Sequence, residues 1–196
     1  MDMLAVAIYL VLRFCFNAYL DGLGAWVIYT FESFIVAATL IYYRRSLKEW
    51  LRVPRQLMWL PIVALLAGIF VAYGAVVIGL PVPFDVADSS GIFLLLVVAP
   101  VLEELLFRFF LWKPFEKRGK PAWAWSFTTL IFAYAHWHAV WSVPDEWQGF
   151  LAYQTLYTLG LGLACGAMIY LWRSMISAIT IHFAFNLGFW LVIAFA

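Results

Sequence analysis

Charged side chains are scarce in this sequence. Asp, Glu, Lys and Arg make up 12% of its 196 residues, whereas they make up about a quarter of an average soluble domain. Hydrophobic residues account for 66% and the mean hydropathy is +0.94. So little charge excludes an ordinary soluble domain, which needs polar groups over most of its surface. We therefore predict an all-α integral membrane protein.

The sequence is also poor in features that indicate other classes of protein. The net charge is only +1, so there is no electrostatic basis for a nucleic-acid partner and we predict none. Its 2 cysteines, Cys15 and Cys165, lie in apolar runs, which is typical of small core residues and not of a disulfide framework. No internal repeat or linker divides the chain, so we predict one domain over residues 1–196.

Long hydrophobic runs organise the chain. A helix needs about 20 mostly apolar residues to cross the hydrocarbon layer of a bilayer. Seven runs come near this length, at residues 3–20, 24–43, 57–80, 91–112, 122–141, 149–171 and 175–195. We predict a polytopic transmembrane helical bundle with about seven spans.

The positive charges predict how this bundle is oriented. The Lys and Arg residues of the connections are concentrated in segments 44–56 and 113–120, and Arg173 precedes the last run. Cytoplasmic connections carry an excess of Lys and Arg, so these three sites should lie on the cytoplasmic side. Alternation through seven spans then places the N-terminus in the cytoplasm and the C-terminus outside.

The fourth hydrophobic run carries three charges. An ionised side chain near the bilayer centre costs roughly 2.5–3.5 kcal/mol on insertion scales, so such residues usually face the interior of a bundle. Arg108 lies one helical turn beyond Glu104, which predicts an ion pair. Glu103 points about 100° away, has no partner in its own helix, and is our first candidate for a reacting group. Pro100 has no N–H and should leave the carbonyl of Leu96 without its helical donor.

Isolated polar residues occur in the fifth and seventh runs. His182 and Asn186 are four residues apart and share one helix face. His136 and His138 are two residues apart and point about 200° from each other, so at most one should face the centre. A single histidine could be a hydrogen-bonded core residue. Together with the charges of the fourth run, these side chains predict a functional centre inside the membrane.

The first two runs carry one further pair of charges. If they form a hairpin that turns at residues 21–24, Arg13 and Glu32 lie at similar depth and can neutralise each other. We interpret this pair as structural, with a role in substrate binding as the alternative.

The sequence lacks the motifs of two common catalytic mechanisms, a covalent nucleophile and a zinc site on one helix. There is no Gly-x-Ser-x-Gly turn and no Ser or Cys with an evident base, which gives no support to a covalent nucleophile. There is no His-Glu-x-x-His, so zinc would need ligands gathered from several spans, and we predict no cofactor. The mechanism that remains is activation of a water molecule by a side-chain base. Glu103 would act as the base with help from His136, while His182 and Asn186 would stabilise an oxyanion.

Three short motifs in fixed order resemble those of the CPBP family of intramembrane glutamic endopeptidases, which includes the type II CAAX prenyl endopeptidases and the bacterial Abi proteins. The motifs are Glu103-Glu104-x-x-x-Arg108, Phe132-x-x-x-His136 and His182-x-x-x-Asn186. The resemblance covers the chain from about residue 91 onward. It implies a catalytic core at 91–196, whereas residues 1–90 are spans of unassigned role.

By this resemblance, Glu103 and His136 would activate water, His182 and Asn186 would form the oxyanion site, and Glu104 and Arg108 would support the architecture. The implied activity is hydrolysis of a peptide bond in a membrane-embedded or lipid-anchored peptide, within the inner (cell) membrane of a bacterium or archaeon. The alternative is a proton-coupled transporter or a membrane scaffold, which would use the Glu and His cluster as a proton relay or binding site.

Overall fold

The computed structural model describes residues 3–16, 25–83, 85, 87–138, 140 and 143–195, and all regular structure among them is helical. The helices are α1 (Met3–Cys15), α2 (Ala25–Tyr42), α3 (Arg44–Trp50), α4 (Leu60–Val77), α5 (89–110), α6 (Lys113–Glu116), α7 (Pro121–Trp137), α8 (Asp145–Trp172) and α9 (Met175–Phe195). The prediction of an all-α helical bundle is confirmed.

Each predicted hydrophobic run coincides with one of these helices. Among the described residues, four helical stretches are long and apolar enough to cross a membrane, namely Arg55–Val77, Ser89–Glu116, Asp145–Trp172 and Met175–Phe195. Two shorter apolar helices are Met3–Cys15 and Val27–Tyr42, and α7 has 17 residues. Residues 17–20, 24 and 141 of the predicted runs lie outside the described residues. The number of crossings and the cytoplasmic N-terminus remain predictions.

Helix α5 contains two π-helical segments in which the hydrogen-bond register differs from that of an α-helix. Its segments are Ser89–Phe93 (α), Leu94–Val98 (π), Ala99–Leu105 (α) and Leu106–Phe110 (π). In the first π segment the Ala99 N–H donates to the carbonyl of Leu94, five residues back. The next donor in that register would be Pro100, which has no N–H. The carbonyl left without a helical donor is therefore that of Leu95, one residue from the Leu96 expected for a regular α-helix.

Three clusters of buried side chains hold the described helices together, and α5 belongs to two of them. Of these two, one joins α4, α5, α8 and α9 around Phe109, Ile169 and Phe185. The other places α1 and α2 against α5 and includes Val6 and Val36. Helix α5 contributes to both clusters, so the helix that carries the predicted carboxylates lies in the middle of the packing.

The basic segments meet at one end of the bundle. The guanidinium of Arg173 lies 3.5 Å from Glu49 and 3.3 Å from Glu116. The ammonium of Lys113 lies 4.1 Å from the ring centroid of Trp50. These contacts bring together segments 44–56 and 113–120 and the turn before α9, which we call the basic end. All Lys and Arg residues except Arg13 and Arg108 belong to it.

The opposite end carries acidic residues. The Asp88 carboxylate caps α5 by accepting hydrogen bonds from the backbone N–H groups of Ser90 and Gly91. These bonds and one from the Ser90 hydroxyl hold the pKa of Asp88 below its usual value. Asp145 and Glu146 occupy the first turn of α8 at the same end.

Helices α4 and α9 approach so closely that glycine is required on both. A Cβ added at Gly188 of α9 would collide with the carbonyl oxygen of Leu65, and one added at Gly68 of α4 would collide with that of Phe185. Small residues permit such approach of backbones in membrane bundles, where packing and not the hydrophobic effect holds helices together.

We predict that Gly188→Ala destabilises the fold by about 1–3 kcal/mol, the usual cost of overpacking. Gly160→Ala is the matched control, because no atom lies within 4 Å of a Cβ added there. Thermal unfolding of the purified proteins in detergent measures the difference. Equal midpoints for the two variants would contradict the close α4–α9 contact.

Candidate active site

Glu104 links α5 to α9 in the interior of the bundle. Its Oε2 lies 3.4 Å from Nε of Arg108, so the ion pair predicted from their spacing is present. Its Oε1 lies 3.0 Å from Nδ1 of His182. The Glu104 side chain is 1% exposed and that of Arg108 is 0% exposed. Two charged groups are thus withdrawn from both water and lipid, and each must be compensated within the protein.

Arg108 connects α5 to two further helices. Its Nη1 donates to the hydroxyl of Thr128 in α7 at 2.9 Å, and its Nη2 donates to the carbonyl of Gly162 in α8 at 3.1 Å. Its guanidinium carbon lies 5.4 Å from the ring centroid of Phe132. A planar guanidinium with donors in a fixed fork can satisfy such separate acceptors at once. Gly162 has no side chain, and an added Cβ would come within 3.3 Å of Nη2.

The four predicted catalytic side chains line one cavity of about 390 Å³. Glu103 reaches it from α5, His136 from α7, and His182 and Asn186 from α9. The side chain of Glu103 is 22% exposed, whereas that of its neighbour Glu104 is almost fully buried. The step of about 100° per residue thus sends one carboxylate to the cavity and the other to Arg108.

The hydrogen bond of His136 indicates which of its ring nitrogens can act as a base. Nδ1 lies 2.9 Å from the carbonyl oxygen of Phe132. A carbonyl only accepts hydrogen bonds, so Nδ1 carries the proton and the neutral ring keeps its lone pair on Nε2. His138 packs instead against Phe14, at 5.5 Å between ring centroids, and against Tyr134, at 5.9 Å. Only one of the two histidines therefore reaches the cavity, as their spacing predicted.

His182 and Asn186 each contact α5 from the same face of α9. The Nε2 of His182 lies 3.8 Å from Oε2 of Glu103, so this ring stands between the two carboxylates. The amide nitrogen of Asn186 donates to the carbonyl of Leu95 at 2.9 Å. This bond replaces the donor that Pro100 does not supply, and it anchors α9 beside the first π segment of α5.

Helices α1 and α2 contribute to a second cavity of about 190 Å³ beside the first. The turn predicted between them at residues 21–24 lies outside the described residues. Glu103, His136 and Gln154 line both cavities, and Arg13 and Glu32 line the smaller one. Arg13 Nε lies 3.3 Å from Glu32, so the predicted pair is present. Sequence reasoning did not place this pair beside the carboxylate of Glu103, and it missed Gln154 altogether. A polar residue inside the sixth hydrophobic run was the available signal.

One group of side chains in the described part of the chain has the spacing of a metal site. The ligand atoms of Glu104, Cys165 and His182 lie within 4.8 Å of one another. The carboxylate of Glu104 already compensates Arg108 and contacts His182, so a metal ion would be repelled by the buried guanidinium. Glu103, which faces the cavity, is not part of the group. We therefore assign no step to a metal.

We predict that Arg108→Ala leaves Glu104 as an uncompensated buried charge and destabilises the protein by about 3–5 kcal/mol. The expected result is a lower yield of monodisperse protein in detergent and a lower thermal midpoint. Arg45→Ala is the control, because Arg45 is exposed at the basic end. Arg108→Ala protein as stable as the control would remove the ion pair from the set of interactions that hold the fold.

Comparison with known proteins agrees with the three motifs. The family model for the type II CAAX prenyl endopeptidase Rce1-like proteins matches residues 86–188, which is just over half of the chain and includes every motif residue. No curated protein and no solved structure matches the chain. The match confirms the resemblance noted in the sequence but does not test the division at residue 90. The chain thus belongs to the Rce1-like family of type II CAAX prenyl endopeptidases, and it is an integral membrane protease of the CAAX type.

Proposed function

We propose that the protein is a glutamic-type intramembrane endopeptidase. It hydrolyses an internal peptide bond of a membrane-embedded or lipid-anchored peptide with a water activated by Glu103 and His136. The observation that carries this proposal is the common cavity of Glu103, His136, His182 and Asn186. Glu104, buried behind this cavity, contacts His182 and therefore positions one member of the set.

In the first step the carboxylate of Glu103 takes a proton from a water molecule. The Nε2 of His136 accepts the other hydrogen bond of that water and aligns its oxygen with the carbonyl carbon of the substrate. As the new C–O bond forms, the electron pair of the C=O bond moves to the carbonyl oxygen, which becomes an oxyanion. Glu103 and His136 thus position the water from two separate helices. Because the water itself attacks the carbonyl carbon, no covalent intermediate forms with the enzyme.

His182 and Asn186 stabilise the oxyanion. The amide nitrogen of Asn186 carries two N–H groups, of which one donates to Leu95, and we assign the second to the oxyanion. Nδ1 of His182 faces Glu104, and we assign the Nε2 side of the ring to the oxyanion. Donors placed where negative charge develops are often the largest single contribution to catalysis of acyl transfer.

In the second step the C=O bond re-forms and the C–N bond breaks. Glu103 returns its proton to the departing amine, so one product ends in a carboxyl group and the other in an amine. The water is consumed, with its hydroxyl on the acyl product and its proton on the amine. No oxidant, reductant or cofactor is needed for this balance.

We predict that Glu103→Gln and His136→Ala each abolish cleavage in a correctly folded protein, because each removes one group that activates water. His138→Ala is the matched control and should keep full activity, since that ring lies outside the cavity. We expect His182→Ala and Asn186→Ala to lower kcat by about 10²–10³, as for a lost oxyanion donor. Cleavage of a library of quenched membrane peptides by purified protein in detergent measures all five variants.

Two other results would replace this mechanism. Activity that a chelator removes and zinc restores would make the histidines and carboxylates metal ligands, and would end the assignment of Glu103 as a general base. A wild-type protein that cleaves no more than Glu103→Gln, yet moves protons across proteoliposomes, would favour the transporter interpretation. A comparison of membrane peptide termini in cells with wild-type and Glu103→Gln protein identifies the substrate.

A further inference from the structure

The two cavities divide the four candidate catalytic side chains between them. Glu103 and His136 line both cavities, whereas His182 and Asn186 line only the larger one. The groups assigned to water therefore stand at the boundary between the cavities, and the groups assigned to the oxyanion stand on one side of it. A peptide whose carbonyl oxygen faces His182 and Asn186 lies in the larger cavity. The smaller cavity then borders Glu103 on a side that this peptide does not occupy.

The lining of the smaller cavity suits water. Besides Glu103 and His136, three polar side chains line it, namely those of Arg13, Glu32 and Gln154. Cavities that stay empty in proteins are apolar, whereas polar ones hold ordered water. A volume of about 190 Å³ has room for several water molecules at about 30 Å³ each. Water there also stabilises the charges of Arg13 and Glu32, which would be costly beside an empty space.

Hydrolysis needs a water molecule that remains when the peptide is bound. A substrate expels water from the part of an active site that it fills. Glu103 lies near the middle of the apolar stretch Ser89–Glu116, at a depth where the surrounding lipid supplies no water. A second polar cavity beside Glu103 meets this need, because its water stays in place while the larger cavity is occupied.

We infer that the smaller cavity is a water chamber, which supplies the hydrolytic water to Glu103 and His136 while the peptide fills the larger cavity. Gln154 lines both cavities from α8. Its amide carries donors and an acceptor, so it connects the chamber water to the water that Glu103 holds. Gln154 is therefore a positioning residue. This inference rests on the proposed function, because it names the source of the water for the same site.

The inference also gives α1 and α2 a role in the reaction. Arg13 and Glu32 form one wall of the water chamber, and both lie outside the residues that the family model matches. The pair at 3.3 Å has no net charge, so it keeps the chamber polar without adding a charge beside Glu103. Residues that hold the two helices together thus also hold the water.

The presence of water in the chamber is tested without any cleavage. Radiolytic hydroxyl-radical footprinting oxidises side chains that adjoin water. Phe107 lines the chamber although it is only 5% exposed. Phe109 is the matched control, because it lies on the same helix, is 0% exposed and packs against Trp50. In purified protein in detergent, we expect Phe107 to be oxidised several times faster than Phe109.

Filling the chamber supplies the second part of this test. Ala135 lines the chamber from α7, and Ala135→Leu places three more carbon atoms there. We expect this variant to slow the oxidation of Phe107 to the rate of Phe109. Equal rates for the two rings in the wild type overturn the inference, and so does a Phe107 rate that Ala135→Leu leaves unchanged.

The role of Gln154 is tested by two substitutions with opposite effects on space. Gln154→Leu puts an apolar side chain of similar size at the junction, whereas Gln154→Ala leaves room for a water in place of the amide. We expect kcat to fall by up to about 10²-fold in Gln154→Leu, as for a misplaced reacting group, and by less in Gln154→Ala. KM should stay the same in both. Cleavage of a membrane peptide by purified protein measures these constants.

The order of the two variants distinguishes water supply from packing. If Gln154 only filled space, Gln154→Ala would be the more damaging change, because it leaves a cavity. Direct contact with the peptide would instead raise KM in both variants. Thr155→Val is the control and should keep the wild-type kcat. Its hydroxyl donates to the carbonyl of Leu151 at 2.9 Å, and it lines neither cavity.

The two proposals fail in different ways. Cleavage that depends on Glu103 overturns the water chamber alone if kcat is unchanged in both Gln154 variants, if Gln154→Ala is the slower of the two, or if KM rises in both. Absence of cleavage in wild type and Glu103→Gln alike overturns the proposed function, while the oxidation of Phe107 still decides whether the chamber holds water.

Discussion

The buried contact of Glu104 with Arg108 and His182 is the interaction on which the rest of the bundle depends. Neither charge can be exposed to lipid without a cost of several kcal/mol, so both must find partners on neighbouring helices. Glu104 forms a hydrogen bond with His182 of α9. Arg108 donates hydrogen bonds to Thr128 of α7 and to the carbonyl of Gly162 in α8. The contacts that compensate these two buried charges thus fix three helices around α5. The orientation of Glu103 toward the cavity follows from the same arrangement, since it is the next residue on that helix.

The irregular register of α5 is the second constraint. Both carboxylates lie on the short α-helical segment Ala99–Leu105, which has a π segment on each side. π segments often occur at functional sites, since they rotate the following side chains and free backbone groups. The freed carbonyl of Leu95 takes its hydrogen bond from Asn186. Asn186, which has a proposed part in catalysis, therefore also holds α9 against α5. The same side chain contributes to helix packing and to the proposed chemistry.

Helices α1 and α2 lie outside the matched family residues but border the site. Tyr9 donates to Glu32 at 2.9 Å, and Glu32 pairs with Arg13. The smaller cavity that this pair lines shares Glu103 and His136 with the larger one. The surroundings of the carboxylate are consequently set by α1 and α2 as well as by the family core.

Much of this protein follows from its sequence alone. Hydrophobic runs of about 20 residues define the helices, since only helices and closed barrels satisfy backbone groups in lipid. Local spacing was enough to predict the Glu104–Arg108 pair and the different directions of His136 and His138, because helical geometry acts over one or two turns. What only the tertiary structure decided are contacts between helices far apart in the chain. The bond of His182 to Glu104, the bond of Asn186 to Leu95 and the place of α1 and α2 beside Glu103 all depend on how the helices rotate and pack. The periodicity of a single helix does not predict its rotation in the bundle, because the packing of one helix is determined by the side chains of all its neighbours.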